Sequence, residues 1–448
     1  MSSFYNKSSK DDVLKNLNVL IDDLCRSGGS VNSNVEFQYD DIEGIGIFSK
    51  ADITKGSVIV NVPYKKCISV ESLMRNDIMR SIITDNPGLL DYPDEILAIG
   101  LMYSYKFIDV DINDDIESQC EWIKHVKTLP RTFNTTLYWS ESELDELKYN
   151  NVFHLTKLMK NQMKNDWQGL HLSLVDQYPE FLSHATLELY MWALTVVYSR
   201  AVGIQRHNKY DRIIPPVLDM ANHSPNAGTE AADTLVFDTQ SDELRLVSFS
   251  DVETKDECFA VYGVYPNAKL AFTYGFVALN NPHRAIDVWT KVTPTSYEAQ
   301  RKQEILQSNE LTYNQTYDFV GTIRDNYISP ALLATIRIIQ INDVEELSKA
   351  ANAFKGQIIS TRNEAATYAS LKNLILAKMH VEQAESDKKK LGEMLLDGVN
   401  LDNRLLIAII IRSEERELYS SILALVDTLN LKLESEGDLY IPPDSPDF

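Results

Sequence analysis

The chain has 448 residues, long for one hydrophobic core, and its 44% apolar and 24% charged content is that of a folded globular protein rather than a disordered one. Acidic residues number 65 against 43 basic ones, a formal charge of −22, so the mean field repels polyphosphate, argues against nucleic-acid binding and favours basic partners. Cys25, Cys67, Cys120 and Cys258 stand singly, with no CxxC pair and no histidine at ligand spacing, so reduced thiols and no metal site are expected.

The opening MSSFYNKSSKDD is polar where a secretory signal needs an apolar stretch, and the longest purely apolar run, Leu405 to Ile411, is too short to span a bilayer. The expectation is a cytoplasmic, monomeric protein without a membrane partner, with entry into the nucleus left open. Val13, Leu14, Leu17, Leu20, Ile21 and Leu24 recur at helical spacing, and Gly28 and Gly29 stop that helix. VEFQY, GIGIF and VIVNVP, between Val35 and Pro63, predict short strands separated by turns at Asp40-Asp41 and Lys55-Gly56. From about 71 to 198 the pattern is mainly helical, including Glu95 to Phe107 and Ser140 to Leu147, where Ser140 stands three before Glu143 as in a capping box. TLVFDT, ELRLVSF and ECFAVYG, in the region from Thr234 to about Tyr262, predict strands again. Beyond Thr293 helical patterns dominate at Ala331 to Ile341, behind Pro330, at Asn363 to Lys378 and at Asp402 to Leu429, predicting a second, all-α domain. The final GDLYIPPDSPDF reads as a frayed end.

The chemistry concentrates between Val217 and Phe276. Leu218-Asp219-Met220-Ala221-Asn222-His223-Ser224 is followed by Val261-Tyr262-Gly263, then Pro266-Asn267-Ala268, then Tyr274-Gly275-Phe276. This ordered set resembles the C-terminal half of SET-domain protein methyltransferases of the Rubisco large-subunit methyltransferase and actin-histidine methyltransferase type. Glu43-Gly44-Ile45-Gly46-Ile47, Trp122 with the Thr128-Leu129-Pro130 turn, Trp192 with Ser199-Arg200, Tyr327-Ile328-Ser329-Pro330 and Asn363-Glu364 extend the likeness over nearly the whole chain.

The resemblance implies an α+β fold, a knotted β SET domain interrupted by a helical insertion and followed by an all-α substrate-binding domain. It divides the chain into 1–32 (tail and helix), 33–70 (first SET part), 71–190 (helical insertion), 191–292 (second SET part), 293–440 (substrate-binding domain) and 441–448 (tail). It implies S-adenosyl-L-methionine as cofactor, S-adenosyl-L-homocysteine as product, no metal, and a protein substrate, in which the acidic surplus of this chain favours a basic or exposed segment. Carried over by position, Glu43, Gly44, Ile45, Arg200, Asp219, Met220, Asn222, His223, Tyr262 and Tyr274 hold the cofactor. Within that set, Glu43 to Ile45 match a turn whose backbone approaches it, Arg200 its amino-acid end, and Asn222 and His223 its adenine and amino-acid portions. Tyr262 is the catalytic residue, its phenol holding the methyl in line, and Val202, Tyr262 and Tyr274 line the substrate channel.

Each residue also has an ordinary reading: GIGIF as a bulged strand, His223 as a core or turn histidine, Arg200 as a surface ion pair. Val202 offers no hydrogen bond to an imidazole, and an apolar wall suits the aliphatic stem of lysine, so lysine is the expected acceptor. The rivals are a protein-histidine methyltransferase of the actin type and a catalytically silent scaffold that only holds a partner.

Overall fold

A computed structural model describes residues 10–40, 44–174, 177–182, 184–311, 316–321, 326–379, 381–397, 402–437 and 440–442. Its contacts divide the chain into two compact units. The first comprises Met1–Tyr138, Thr156–Val264 and Phe272–Gly275, the second Trp139–Leu155, Tyr265–Ala271 and Phe276–Phe448. The linear division expected from sequence is therefore crossed: 139–155, inside the expected insertion, and 265–271 group with the C-terminal residues. No helix among the described residues is long and apolar enough to cross a membrane.

The first unit opens with the helix Lys10–Arg26, whose Leu17, Leu20 and Leu24 are buried at the spacing that predicted it. Strands β1 (Ser30–Val31), β2 (Val35–Asp40), β3 (Gly44–Ser49) and β4 (Val58–Pro63) follow. After the helical stretch come the hairpin β5 (Val202–Arg206) and β6 (Lys209–Ile213), then β7 (Leu235–Asp238) and β8 (Glu243–Val247). The sheet order β1-β4-β8-β7 pairs early with late sequence, Asn61 opposite Arg245, so two distant β portions share one core. That core gathers Ile59, Val60 and Val62 of β4 with Leu244 and Leu246 of β8 and with Leu218, Ala221 and Ala260.

A second core is helical. In Pro93–Tyr105 every residue from Ile96 to Ser104 is buried, so the helix is covered all round rather than along one stripe. It packs on Leu187–Arg200, which Thr186 caps by accepting from the Leu189 N–H at 3.1 Å. The two tryptophans singled out by sequence tie this core together. Trp122 donates to Ser104 Oγ and Trp192 to the Pro130 carbonyl at 2.9 Å.

The 257–263 stretch, predicted as a strand, is instead extended chain held by isolated bridges, Phe48 to Glu257 and, in parallel, His223 to Ala260. An apolar alternating run specifies burial of one face, not the length of its partner.

The second unit is mainly helical, with Pro330–Ile339, Thr361–Leu376, Ala384–Asp397 and Asn403–Glu436 among its members. It also carries a three-stranded sheet that the sequence did not predict: β10 (Thr316–Gly321) pairs antiparallel with both β9 (Ala285–Trp289) and β11 (Asn326–Ile328). Tyr440, inside the stretch read as frayed, is buried, with its hydroxyl 2.7 Å from that of Tyr368. The polar tail before residue 10, the candidate site residue Glu43 and the residues after 442 lie outside the described residues.

Candidate functional site

The site is built around a tight reversal that precedes Asp219. The Leu218 N–H donates to the Pro216 carbonyl at 2.7 Å, and Val217 between them has φ 67° and ψ −43°. This is a positive-φ γ-turn, a rare and strained conformation, more so for a β-branched residue. Complete burial of Val217 in the sheet core holds it there.

The reversal delivers the short Leu218–Met220 helical turn, in which the Asp219 side chain is wholly enclosed. Arg200, at the end of Leu187–Arg200, reaches Asp219 with one nitrogen: Nη1 donates to the Asp219 carbonyl at 2.6 Å and lies 3.3 Å from Oδ2. His125 Nε2 lies 3.1 Å from the same Oδ2. Burial pushes the Asp219 carboxyl up, but His125 and Arg200 together outweigh it and hold the group below the usual carboxylate range. Its Oδ1 is buried with no hydrogen-bond partner among the described residues. Nε and Nη2 of Arg200 have no hydrogen bond to a described residue, and its side chain is 22% exposed. A guanidinium so anchored can still present a fork to a carboxylate.

Beyond Asp219, the Tyr262 hydroxyl donates to the Ala221 carbonyl at 2.8 Å, and the Tyr262 main-chain N–H donates to His223 Nδ1 at 3.1 Å. His223 Nδ1 also lies 3.3 Å from the Ala260 carbonyl, so this ring nitrogen stands between a main-chain donor and a main-chain acceptor. The Tyr262 ring stacks on His223 at 5.1 Å between centroids and lies 4.8 Å from Tyr274, tilted by 37°. Burial, with Asp219 and Glu257 nearby and opposed by Arg200, pushes the Tyr262 phenol up to about 12. It is therefore a neutral hydroxyl whose proton faces Ala221 and whose oxygen lone pairs remain available.

The glycine turn meets the other side of Asn222. Gly44 has φ 81°, in the left-handed region, and begins β3. At Gly46 a Cβ would sit 2.5 Å from Glu257 Oε1 and 3.2 Å from Asn222 Nδ2, so close approach is needed at Gly46 as well as conformational freedom at Gly44. Asn222 Nδ2 donates to Glu257 Oε1 at 2.8 Å, which turns the amide oxygen the other way. The side chains of Ile45 and Met220 pack with Leu17 of the first helix, so their part in holding a ligand falls to the main chain. Val202 opens β5 and, like Tyr262, packs partly buried on the sheet core.

Sequence reasoning missed three residues that shape this site. His125 lies within the quoted Trp122 to Pro130 stretch, Glu257 three before the bridged Ala260, and Val217 just ahead of Leu218; none carries a local signal, because each acts through a partner distant in sequence. Conversely, Asn267 of the quoted Asn267-Ala268 pair serves the second unit, where it bonds both main-chain groups of Ala278 and the Glu414 carboxylate.

Gly275, beside Tyr274, has φ 87°, and a Cβ there would lie 2.7 Å from the Asn134 carbonyl carbon and the Thr135 nitrogen. Alanine combines about 1–2 kcal/mol of left-handed strain with about 1–3 kcal/mol of overpacking. Gly275→Ala is expected to lower the thermal midpoint and shift Tyr274, read by melting and tyrosine fluorescence. An unchanged midpoint would contradict the close approach.

A family model described as Rubisco LSMT substrate-binding matches residues 293–418. The chain is 24% identical over 411 residues to the chloroplastic ribulose-1,5-bisphosphate carboxylase/oxygenase large subunit N-methyltransferase of Pisum sativum, spanning 88% of this chain and 78% of the relative. It is also 24% identical over 408 residues to the chloroplastic fructose-bisphosphate aldolase-lysine N-methyltransferase of Arabidopsis thaliana, spanning 88% and 79%. Its fold matches the crystal structure of the SET domain of LSMT bound to lysine and AdoHcy, with a TM-score of 0.77, 21% identity and coverage of 94% and 93%.

Proposed function

Since the chain belongs to the SET-domain protein methyltransferases that carry a Rubisco LSMT-type substrate-binding domain, we propose that it methylates a lysine side chain of another protein with S-adenosylmethionine. The observation that carries this reading is the Tyr262 hydroxyl fixed on the Ala221 carbonyl at 2.8 Å within an aromatic wall of His223 and Tyr274.

The residues present fit the donor. Arg200 retains Nε and Nη2 for its carboxylate, Asn222 turns its amide oxygen away from Glu257, and the space a Gly46 Cβ would fill leaves β3 backbone close to Asn222. When bound, S-adenosylmethionine supplies an electrophilic sulfonium methyl for in-line displacement by nitrogen.

Tyr262 serves by orientation and preorganisation, since a phenol pushed up to about 12 does not collect protons at neutral pH. The neighbouring histidines are also engaged: His223 Nδ1 accepts the Tyr262 N–H, and His125 pairs with Asp219. An amine acceptor then loses its proton because an apolar, aromatic channel disfavours the ammonium form. Val202, a hydrocarbon side chain on the sheet core, suits a lysine stem better than an imidazole that needs a polar partner. The formal charge of −22 supports a substrate whose methylated segment is basic.

The test is transfer of labelled methyl from S-adenosylmethionine to a cell extract, followed by peptide mass spectrometry. Label on lysine of a discrete protein is expected. Label on histidine would move the reading to the histidine-modifying relatives, and cofactor binding without transfer to any extract would favour the silent scaffold.

A further inference from the structure

We propose that His125 is a positioning residue for the methyl donor, acting through Asp219 on Arg200. The inference rests on the proposed function and adds a residue that neither the motif likeness nor the chemistry of the transfer called for. His125 lies in the helical turn Ile123–Val126 with its side chain 2% exposed. Its carbonyl accepts from the Thr128 N–H at 2.9 Å and from Thr128 Oγ1 at 2.7 Å, which pins the residue within the turn that ends at Pro130.

The imidazole and the guanidinium converge on one oxygen. His125 Nε2 is 3.1 Å and Arg200 Nη1 3.3 Å from Asp219 Oδ2, while Oδ1 and His125 Nδ1 are buried without hydrogen-bond partners among the described residues. Asp219 is thus balanced between two donors in a place where water does not compete, and a buried carboxylate deprived of one donor leans harder on the other. Without Nε2, Asp219 would draw Arg200 further in. The guanidinium would then turn from the direction in which Nε and Nη2 can meet a carboxylate.

This arrangement separates binding from chemistry. Ala221, whose carbonyl holds the Tyr262 hydroxyl, has its own main-chain bond to Leu218 at 3.1 Å, so the phenol does not depend on His125. Loss of His125 should therefore weaken donor binding and spare the transfer step. A residue needed only for packing would lower stability and leave donor affinity in the folded protein alone.

The experiment compares the full chain with His125→Phe, which keeps a buried ring but removes the donor, and His125→Gln, which restores an N–H. Calorimetry with S-adenosylhomocysteine and steady-state kinetics are expected to show Kd and the KM for S-adenosylmethionine raised at least about tenfold in H125F. The same measurements are expected to give kcat within about threefold of wild type and substantial recovery of Kd in H125Q. A folded H125F that binds as tightly as wild type overturns the proposal. Should H125F not fold, the ring nitrogen resonances of His125 in wild type, assigned by their absence in H125Q, decide the matter. A shift on adding S-adenosylhomocysteine is expected, and unmoved resonances overturn the proposal. Wild type that binds neither form of the cofactor sinks the methyltransferase reading itself, whereas normal wild-type binding with an indifferent His125 sinks only this inference.

Discussion

Replacing Tyr262 by phenylalanine is expected to reduce kcat on the order of 100-fold or more while leaving cofactor affinity within about threefold, because one preorganised polar group near the reacting atoms is lost and little else changes. The ring keeps its stacking on His223 and its contact with Tyr274, and only the 2.8 Å bond to the Ala221 carbonyl disappears. With the phenol pushed up to about 12, ionised Tyr262 at pH 7 is roughly one molecule in 10⁵, so the defect is not that of a missing base. Its signature follows from that sign. The activity of both proteins should rise with pH as the acceptor amine loses its proton, with parallel profiles separated by a constant factor. Single-turnover rates across pH 7–10 with calorimetry of cofactor binding check this. Equal rates for the two proteins, or a rate loss matched by a loss of cofactor affinity, would remove Tyr262 from the chemistry.

The second large effect is on stability. Arg337 and Glu364 form a two-pronged pair, 2.7 Å at each contact, with side chains 2% and 0% exposed. They join Pro330–Ile339 to Thr361–Leu376, and Asn363 Nδ2 adds a bond to the Arg337 carbonyl at 3.0 Å. Glu364→Ala leaves a buried guanidinium without its partner, a change that costs about 3–5 kcal/mol. The melting of the second unit should drop by roughly 10 °C. Replacing both residues by leucine should cost less than Glu364→Ala alone, because the desolvation penalty of both charges is then removed together. Calorimetric scans of the full chain test this, and a Glu364→Ala protein that melts like wild type would show the pair to be energetically idle.

Much of the local structure was legible in the sequence. Ser140 and Glu143 form the capping box that their spacing suggested, Pro330 occupies the first helical turn behind the Ser329 cap, and Asp402 caps the longest helix. The hairpin β5-β6 escaped notice, although His207 and Asn208 at its tip both have positive φ, the pattern of a tight primed turn. Asn363-Glu364 was noticed as a likeness and not as one half of a buried ion pair, since its partner lies on another helix.

The order Asp219, Asn222-His223, Tyr262, Tyr274 indicated the chemistry only through its resemblance to a known family, whereas the apolar periodicities by themselves placed six of the helices and five of the strands. Those are properties of residue type and spacing, which local sterics and burial translate directly. Only the tertiary structure decided that His125 would meet Asp219 across 94 residues, that Gly46 would have to yield space to Glu257, and that Val217 would be held in a strained turn. Such contacts arise because a buried polar group must find a partner wherever the packed chain brings one, and no local propensity encodes which distant residue that will be.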